Sequence, residues 1–428
     1  MKRMKIYIKS YGCSLNTSDS ETMAGLLKQA GYKLVNKVEE ADVVIVNTCI
    51  VKTPTETTVL KFIKKLIGKQ IIIAGCMPQV THYRSVLEKY SLVGTDNIKE
   101  IAYVVKETTN GNRVVLIDRN KIDRNKNKRL NLPKIRINKA IEIVPIAKGC
   151  LGDCSYCIVK QARGSLVSYK KDFIVSSVKK AIAEGVKEIW LTSQDCGAYG
   201  KDTGNSLPKL LKAILNIPGD FKVRLGMTNP NFVYEYLTDL IEIYKNEKIF
   251  KFLHVPVQSG SNEILKKMKR NYLVEDFRAI VQTFREEIPE LTLATDIIVG
   301  FPGETDEQFK ESLVLVQDVQ PDVLNISRFF PRPGTIAEKM KCLPGGLIKD
   351  RSRQLTKTFG EISFERNKRW LGWQGNVIVD EIGKNGSYVG RNYAYKPVVL
   401  TTGEELIGKV IKVRVNDVGK HDLRGELL

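Results

Sequence analysis

KGCLGDCSYC, residues 148–157, sets Cys150, Cys154 and Cys157 in a CxxxCxxC spacing with an aromatic residue just before the last cysteine. Three thiolates this close can hold three corners of a 4Fe-4S cube, because cysteine is the usual ligand of such clusters. No fourth cysteine follows to close the site, so one iron stays open. An open iron can chelate the amino and carboxylate groups of S-adenosylmethionine (SAM), and the spacing therefore points to radical chemistry rather than passive electron transfer. The alternative is structural zinc, but that needs four closed ligands, and no cysteine or histidine pair lies nearby.

Working outward, six Ile/Val-rich runs alternate with segments of helical periodicity: Ile143 to Ala147, Glu188 to Thr192, Lys222 to Met227, Phe250 to Val255, Leu293 to Val299 and Val323 to Arg328. Six βα units make a partial barrel. The cysteine loop follows the first strand, at the carboxyl-end face where barrel active sites lie.

Upstream, the runs Lys5 to Lys9, Val43 to Asn47 and Gln70 to Ala74 are each followed by a helical pattern, which predicts an α/β unit with an open parallel sheet. A cysteine comes after each run: Cys13, Cys49 and Cys76. Ligands of open parallel sheets bind beyond the carboxyl ends of the strands, so these three cysteines should converge at one edge. A second 4Fe-4S cluster with an open iron is the functional reading. Buried cysteines acting as small hydrophobes are the other.

From about Asn367 the pattern changes to short alternating strands without helices, WQGNVIVDEI, GSYVGRNYAYKPVVL and GKVIKVRVNDV, separated by Gly-containing turns. This predicts a small closed β-barrel of the kind that binds nucleic acid. Tyr388, Arg391, Tyr393 and Lys396 interleave aromatic and basic side chains, as base stacking and phosphate contact require. A folding or dimerisation appendage is the alternative.

The formal net charge is +20 and favours a polyanionic partner, nucleic acid first among them, although a Lys-rich surface alone gives the same sum. Residues 118–140 concentrate it, with nine Lys or Arg against two Asp. The chain therefore divides into residues 1–117, a basic linker 118–140, a barrel 141–366 and a small barrel 367–428. The eight cysteines follow an N-terminus with no signal-peptide core, which places reduced thiols in the cytoplasm. No apolar run approaches the roughly 18 to 20 residues of a membrane span, so no membrane is expected.

Across essentially its full length the sequence resembles the radical-SAM methylthiotransferases: an N-terminal cluster domain, a radical-SAM core and a C-terminal TRAM domain. The stretches YGCSLNTSDSE, GCLGDCSYCIVKQARG, IWLTSQDCGAYG, RLGMTNP, HVPVQSGSN, ATDIIVGFPGET and FFPRPGT are most similar to the archaeal and eukaryotic branch that modifies threonylcarbamoyladenosine in tRNA. The resemblance implies two 4Fe-4S clusters. Cys150, Cys154 and Cys157 would hold the SAM-cleaving one, and Cys13, Cys49 and Cys76 the auxiliary one that delivers sulfur. It also implies transfer of a methylthio group to carbon 2 of the adenine beside the anticodon, binding of the tRNA anticodon arm, and an electron donor. By analogy with such barrels, Ser193, Gln194 and Asp195 meet the methionine end of SAM, Arg224, Gln258 and Ser259 its carboxylate or ribose, and the turn with Gly300 and Glu304 its adenine. For each of these polar residues a satisfied loop hydrogen bond is the competing reading.

Departures from the family pattern fall at Lys160, where many members outside this branch carry proline, and at Cys196 and Cys342, which match no ligand position. His254 reads as a core histidine more readily than as a base. Two other functions stay open on sequence: methylthiolation of a ribosomal protein, and an iron-sulfur RNA-binding protein without catalysis. The second leaves the TSQD and GFPGE turns unexplained.

Overall fold

The computed structural model describes residues 3–118 and 128–428. The N-terminal unit is a parallel sheet of β1 (Lys5–Ser10), β2 (Lys33–Leu34), β3 (Val43–Thr48), β4 (Gln70–Gly75), β5 (Ser91–Gly94) and β6 (Val115–Leu116), in the order β2-β1-β3-β4-β5-β6. Every residue of β3 is buried, as expected of a central parallel strand covered on both faces. The covers are α1 (Ser14–Gln29) and α3 (Ile101–Thr109) on one face and α2 (Thr53–Lys65) on the other. Sequence reading predicts only β1, β3 and β4. The others are two to four residues long, too short to carry a period.

α1 is unusual. Asn16, Ser18, Asp19, Ser20, Glu21 and Thr22 are all buried, so the helix turns a polar face inward against the next unit. Of the basic linker, residues 119–127 lie outside the described residues. Its C-terminal part is docked rather than free. Ile135 N donates to Glu21 O at 3.0 Å, Lys134 pairs with Glu142 at 2.6 Å, and Arg136 pairs with Glu142 at 2.5 Å and Glu184 at 2.7 Å.

Next come β7 (Ile141–Pro145), the short pair β8 (Ala147–Lys148) and β9 (Val167–Ser168), α4 (Val159–Arg163) and α5 (Lys171–Ala183). β10 (Glu188–Thr192), α6 (Leu207–Leu215), β11 (Lys222–Leu225), α7 (Pro230–Glu235), α8 (Leu237–Lys245), β12 (Phe252–His254), α9 (Asn262–Lys267) and α10 (Val274–Glu287) follow. β13 (Thr292–Val299), α11 (Asp306–Val319), β14 (Val323–Arg328) and α12 (Gly345–Lys368) complete the unit. β11-β10-β7 and β12-β13-β14 are parallel, and a bridge from Val223 to Ile249 joins the two halves into one curved partial barrel, as predicted. Alternation along each strand sends Ile189, Leu191, Val223, Leu225 and Leu253 into the large apolar core with the helices. Trp190, Arg224, Phe252 and His254 occupy the opposite positions, toward the lumen.

α12 runs to Lys368, past the change of pattern seen in the sequence. It leads into a closed barrel of β15 (Gln374–Ile382), β16 (Tyr388–Arg391), β17 (Pro397–Leu400), β18 (Val410–Val418) and β19 (Leu423–Leu427), ordered β15-β16-β17-β19-β18. The second predicted segment is two strands, split at a turn where Tyr395 takes a left-handed φ of 60°.

That turn corrects the interleaved aromatic and basic set. Lys396 is buried and pairs with Asp322 at 3.2 Å, Arg391 pairs with Asp380 at 3.2 Å and Glu381 at 2.8 Å, and Tyr393 packs against Trp370 and Trp373. Tyr388 leans on the small barrel's own core. Arg391, Tyr393 and Lys396 thus go to the seam with the large barrel, where Tyr395 enters the lumen beside Phe250, Phe252 and Trp190. Periodicity cannot tell a cation bound to nucleic acid from one paired across a domain seam.

Candidate active site: two cysteine triads and the barrel mouth

Cys150, Cys154 and Cys157 lie on the loop after β8 and line a cleft of about 190 Å³ with Lys160, Gln161, Lys269 and Thr335. A Cβ placed on Gly152 would stand 3.6 Å from Cys150 Sγ and 3.8 Å from Cys154 Sγ, so the loop brings these two sulfurs to the same glycine. Burial pushes the Cys150 thiol up to about 11 and that of Cys157 up to about 12. Any metal bound there displaces those protons, since thiolate is the ligand form. The loop is held from outside: Ser155 N donates to Met268 O at 3.0 Å and Ser155 Oγ to Lys267 O at 2.8 Å.

Cys13, Cys49 and Cys76 follow β1, β3 and β4 and do converge at the carboxyl edge of the first sheet. Asn16 is a common neighbour of two of them, with Oδ1 3.8 Å from both Cys13 Sγ and Cys76 Sγ. Its amide donates to Tyr11 O and Thr48 O, each at 2.8 Å, which ties the loops after β1 and β3 together. Gly12, with φ of 109°, lies so close to Cys49 that a Cβ there would meet its Cβ at 2.6 Å, so the loop needs glycine. Burial raises the Cys49 and Cys76 thiols, with Arg163 opposing the rise. Among the described residues no three Cys, His, Asp or Glu gather on a single point as one bound ion requires. Thiolates that bind separate irons of a cube need no such gathering.

Arg163 joins the two triads, and sequence reasoning missed it. It lies six residues beyond Cys157, is buried, and reaches Asn16 Oδ1 at 2.6 Å and Asp19 Oδ2 at 3.2 Å. The available signal was the run of small polar residues after Cys13, which an ordinary amphipathic helix does not bury.

The predicted SAM contacts divide. Gln194 Oε1 and Arg224 Nε are buried atoms without a partner among the described residues, free to meet a ligand. Arg224 stands in an aromatic cage, its guanidinium carbon 5.0 Å from the Trp190 ring centre and 5.1 Å from those of Phe252 and Tyr395. Ser193 Oγ accepts from Asp195 N at 3.1 Å, and Ser259 Oγ from Ser261 N at 3.2 Å, so both shape their own loops. Asp195 is buried and accepts from Asn229 Nδ2 at 2.6 Å and Gly197 N at 3.0 Å. Its burial raises the carboxyl's pKa. Gln258 adopts a left-handed φ of 73° and continues the sheet, N to Asp296 O at 2.8 Å.

Glu304 accepts from Gly300 N at 2.9 Å and Arg351 Nη1 at 2.8 Å, and a Cβ on Gly300 would strike Ile348 of α12 at 2.6 Å. That turn therefore also seats α12. His254 has the hydrogen-bond partner expected of a structural histidine, its Nε2 facing Asp296 Oδ2 at 2.8 Å beside the Phe252 ring, although both side chains stay partly exposed. Cys196 is buried, as expected of a residue outside both triads.

Comparison with known proteins agrees with this architecture. The profile of the uncharacterized protein family UPF0004 matches residues 5–94, that of the Radical SAM superfamily residues 144–316, and that of the TRAM domain residues 372–428. The cobalamin-containing radical SAM methyltransferase TsrM from Kitasatospora setae is similar in fold, with a TM-score of 0.57 at 14% identity over 79% of this chain and 77% of that one. A probable threonylcarbamoyladenosine tRNA methylthiotransferase of Pyrococcus horikoshii is 43% identical over 99% of this chain and 100% of its own length. The human threonylcarbamoyladenosine tRNA methylthiotransferase is 42% identical over 99% of this chain and 74% of its own length. With these domains in this order, and relatives of that identity matched across nearly the whole chain, the protein belongs to the threonylcarbamoyladenosine tRNA methylthiotransferase family of radical-SAM enzymes.

Proposed function

We propose that this chain adds a methylthio group to carbon 2 of N6-threonylcarbamoyladenosine beside the anticodon of tRNA, in the cytoplasm, with Cys150, Cys154 and Cys157 holding one 4Fe-4S cluster and Cys13, Cys49 and Cys76 a second. When bound, the first supplies the electron that cleaves SAM to a 5′-deoxyadenosyl radical, and the second supplies the sulfur. An external electron donor is required. The protein's own work is to orient these groups and keep water from them.

The observation that carries the reading is the bridge between the triads: Arg163, on the helix after the first, contacts Asn16, which touches two sulfurs of the second. Radical and sulfur are needed at one carbon of one base, and a shared buried residue fixes the two sites relative to each other. Gln194 and Arg224 offer SAM or the base unpartnered polar atoms, and the His254–Asp296 pair lines the same lumen. With Arg391 and Lys396 paired at the seam, the exposed cations Lys409, Lys412 and Arg414 of the small barrel, together with the basic linker, are the tRNA contacts we propose. The division into residues 1–117, 118–140, 141–366 and 367–428 belongs to the same reading.

Mass spectrometry of tRNA nucleosides from a host with and without the gene tests it. The methylthiolated threonylcarbamoyladenosine should vanish with the gene. Its persistence, or loss of a modification on a ribosomal protein instead, would overturn the reading.

A further inference from the structure

One cation of the barrel mouth touches a cysteine sulfur directly. α9 ends at a turn in which Lys269 takes a left-handed φ of 57° and Arg270 N donates back to Leu265 O at 2.9 Å, the six-to-one bond of a Schellman stop. A non-glycine residue in that region is uncommon. Here it turns the chain so that Arg270 points inward. The same turn presents Lys267 O and Met268 O to Ser155, the residue after Cys154. Loop and arginine are thereby fixed to one piece of backbone.

The guanidinium is used on nearly every edge. Nη1 donates to Cys154 Sγ at 3.1 Å, Nε to Tyr272 Oη at 2.8 Å, and Nη2 to Asn229 Oδ1 and, at 3.4 Å, to Pro256 O. Its carbon lies 4.9 Å from the Tyr272 ring centre, and Tyr272 is itself pinned to Val257 O at 2.8 Å and Pro256 O at 3.1 Å. Asn229 in turn donates to Asp195 at 2.6 Å. A continuous chain of hydrogen bonds thus runs from a cysteine of the first triad to the TSQD loop.

We propose that Arg270 is a positioning residue for the Cys150–Cys154–Cys157 site: its bond to the Cys154 sulfur makes a cluster held there easier to reduce and locks that corner to the loop carrying Asp195. The proposal rests on the reading that this triad holds a 4Fe-4S cluster. Reduction adds one negative charge, shared between iron and sulfur. A fixed cation donating a hydrogen bond to a ligand sulfur stabilises the reduced form more than the oxidised one, and such bonds are among the determinants of cluster potential. Lysine keeps the charge but lacks the planar fork that serves Cys154, Tyr272 and Asn229 together.

The test uses the full-length chain, reconstituted anaerobically with iron and sulfide, as wild type, Arg270→Gln and Arg270→Lys. Iron content is measured first. The midpoint potential is then followed by electron paramagnetic resonance on the signal that a Cys150→Ala, Cys154→Ala, Cys157→Ala variant lacks. At wild-type iron content, Arg270→Gln should make reduction about tenfold less favourable, a shift of about 59 mV to lower potential for a one-electron couple. Arg270→Lys should fall between the two. An unchanged midpoint in Arg270→Gln overturns the proposal. If that variant does not take up iron, the lysine variant decides in the same way, a lowered midpoint upholding the proposal and an unchanged one overturning it. A wild type with no signal dependent on the three cysteines removes the cluster reading itself, and this proposal with it.

Discussion

Asp322→Asn should loosen the seam between the two barrels more than any other single exchange there. The Asp322 side chain has no solvent exposure and faces four cations: Arg366 and Arg369 at 3.0 Å, Lys396 at 3.2 Å and Arg285 at 3.9 Å. It also accepts from Leu293 N at 3.0 Å. The cations around it hold its carboxyl down at about 2 against the ordinary 3.8, overcoming the burial that alone would raise it. A shift of that size is worth about 2.4 kcal/mol of stability at neutral pH. Three of the cations, Arg285, Arg369 and Lys396, are by contrast pulled below their usual values, Arg285 to about 10, by burial and by neighbouring cations. The cluster is over-cationic, and one carboxylate holds it. Substitution by Asn leaves those charges facing each other, and breaking a buried pair from one side costs ~3–5 kcal/mol.

For a domain of this size that is a fall in melting temperature on the order of 10 °C, read by calorimetry at pH 7. The sign of the pH dependence follows. A depressed carboxyl contributes stability that is present above its unfolded pKa and lost as pH falls through the folded one. The gap between wild type and variant should therefore narrow between about pH 4 and pH 2. A drop below about 2 °C at pH 7, or a gap independent of pH in that window, refutes the reasoning.

Glu188 should behave in the opposite sense. Burial, then the nearby Asp380 carboxylate, push it up to about 8, so its contribution is present below pH 4.5 and lost as pH rises through 8, and Glu188→Gln should flatten stability across that range. Replacing Cys150, Cys154 and Cys157 with alanine should remove about half of the bound iron and all dithionite-driven SAM cleavage; retained cleavage would put the radical site elsewhere. The matching alanine variant of Cys13, Cys49 and Cys76 should still cleave SAM yet transfer no methylthio group, and circular dichroism distinguishes this from loss of fold. Affinity for tRNA should fall with salt at a log-log slope near 0.7 to 0.9 per phosphate met, and neutralising Lys412 and Arg414 should reduce that slope by ~1.5. An unchanged slope would leave binding to the linker.

The sequence alone determined the local features. CxxxCxxC is legible because its three ligands come from one loop, and no distant contact is needed to bring them together. The six barrel strands and the cysteines after β1, β3 and β4 were legible for a related reason: buried parallel strands are continuous apolar runs, and chain direction in a parallel sheet puts every following loop on one edge. The small barrel showed itself by alternation, and the resemblance supplied the substrate and the role of the second triad.

Tertiary structure decided which polar groups are spent and which are free. Arg391 and Lys396 looked like nucleic-acid contacts in the sequence and are paired at the domain seam, with Asp380 and Asp322. Glu304 and Gly300 looked like a cofactor turn and also brace α12. Arg163 stands in the stretch GCLGDCSYCIVKQARG with no role read from it, Arg270 in none of the quoted stretches, and each meets a cysteine site because a helix end or a turn aims it there. The physical reason is the same throughout. Hydrophobic periodicity is a property of neighbours along the chain, whereas the partner of a buried charge is chosen by the fold, tens or hundreds of residues away.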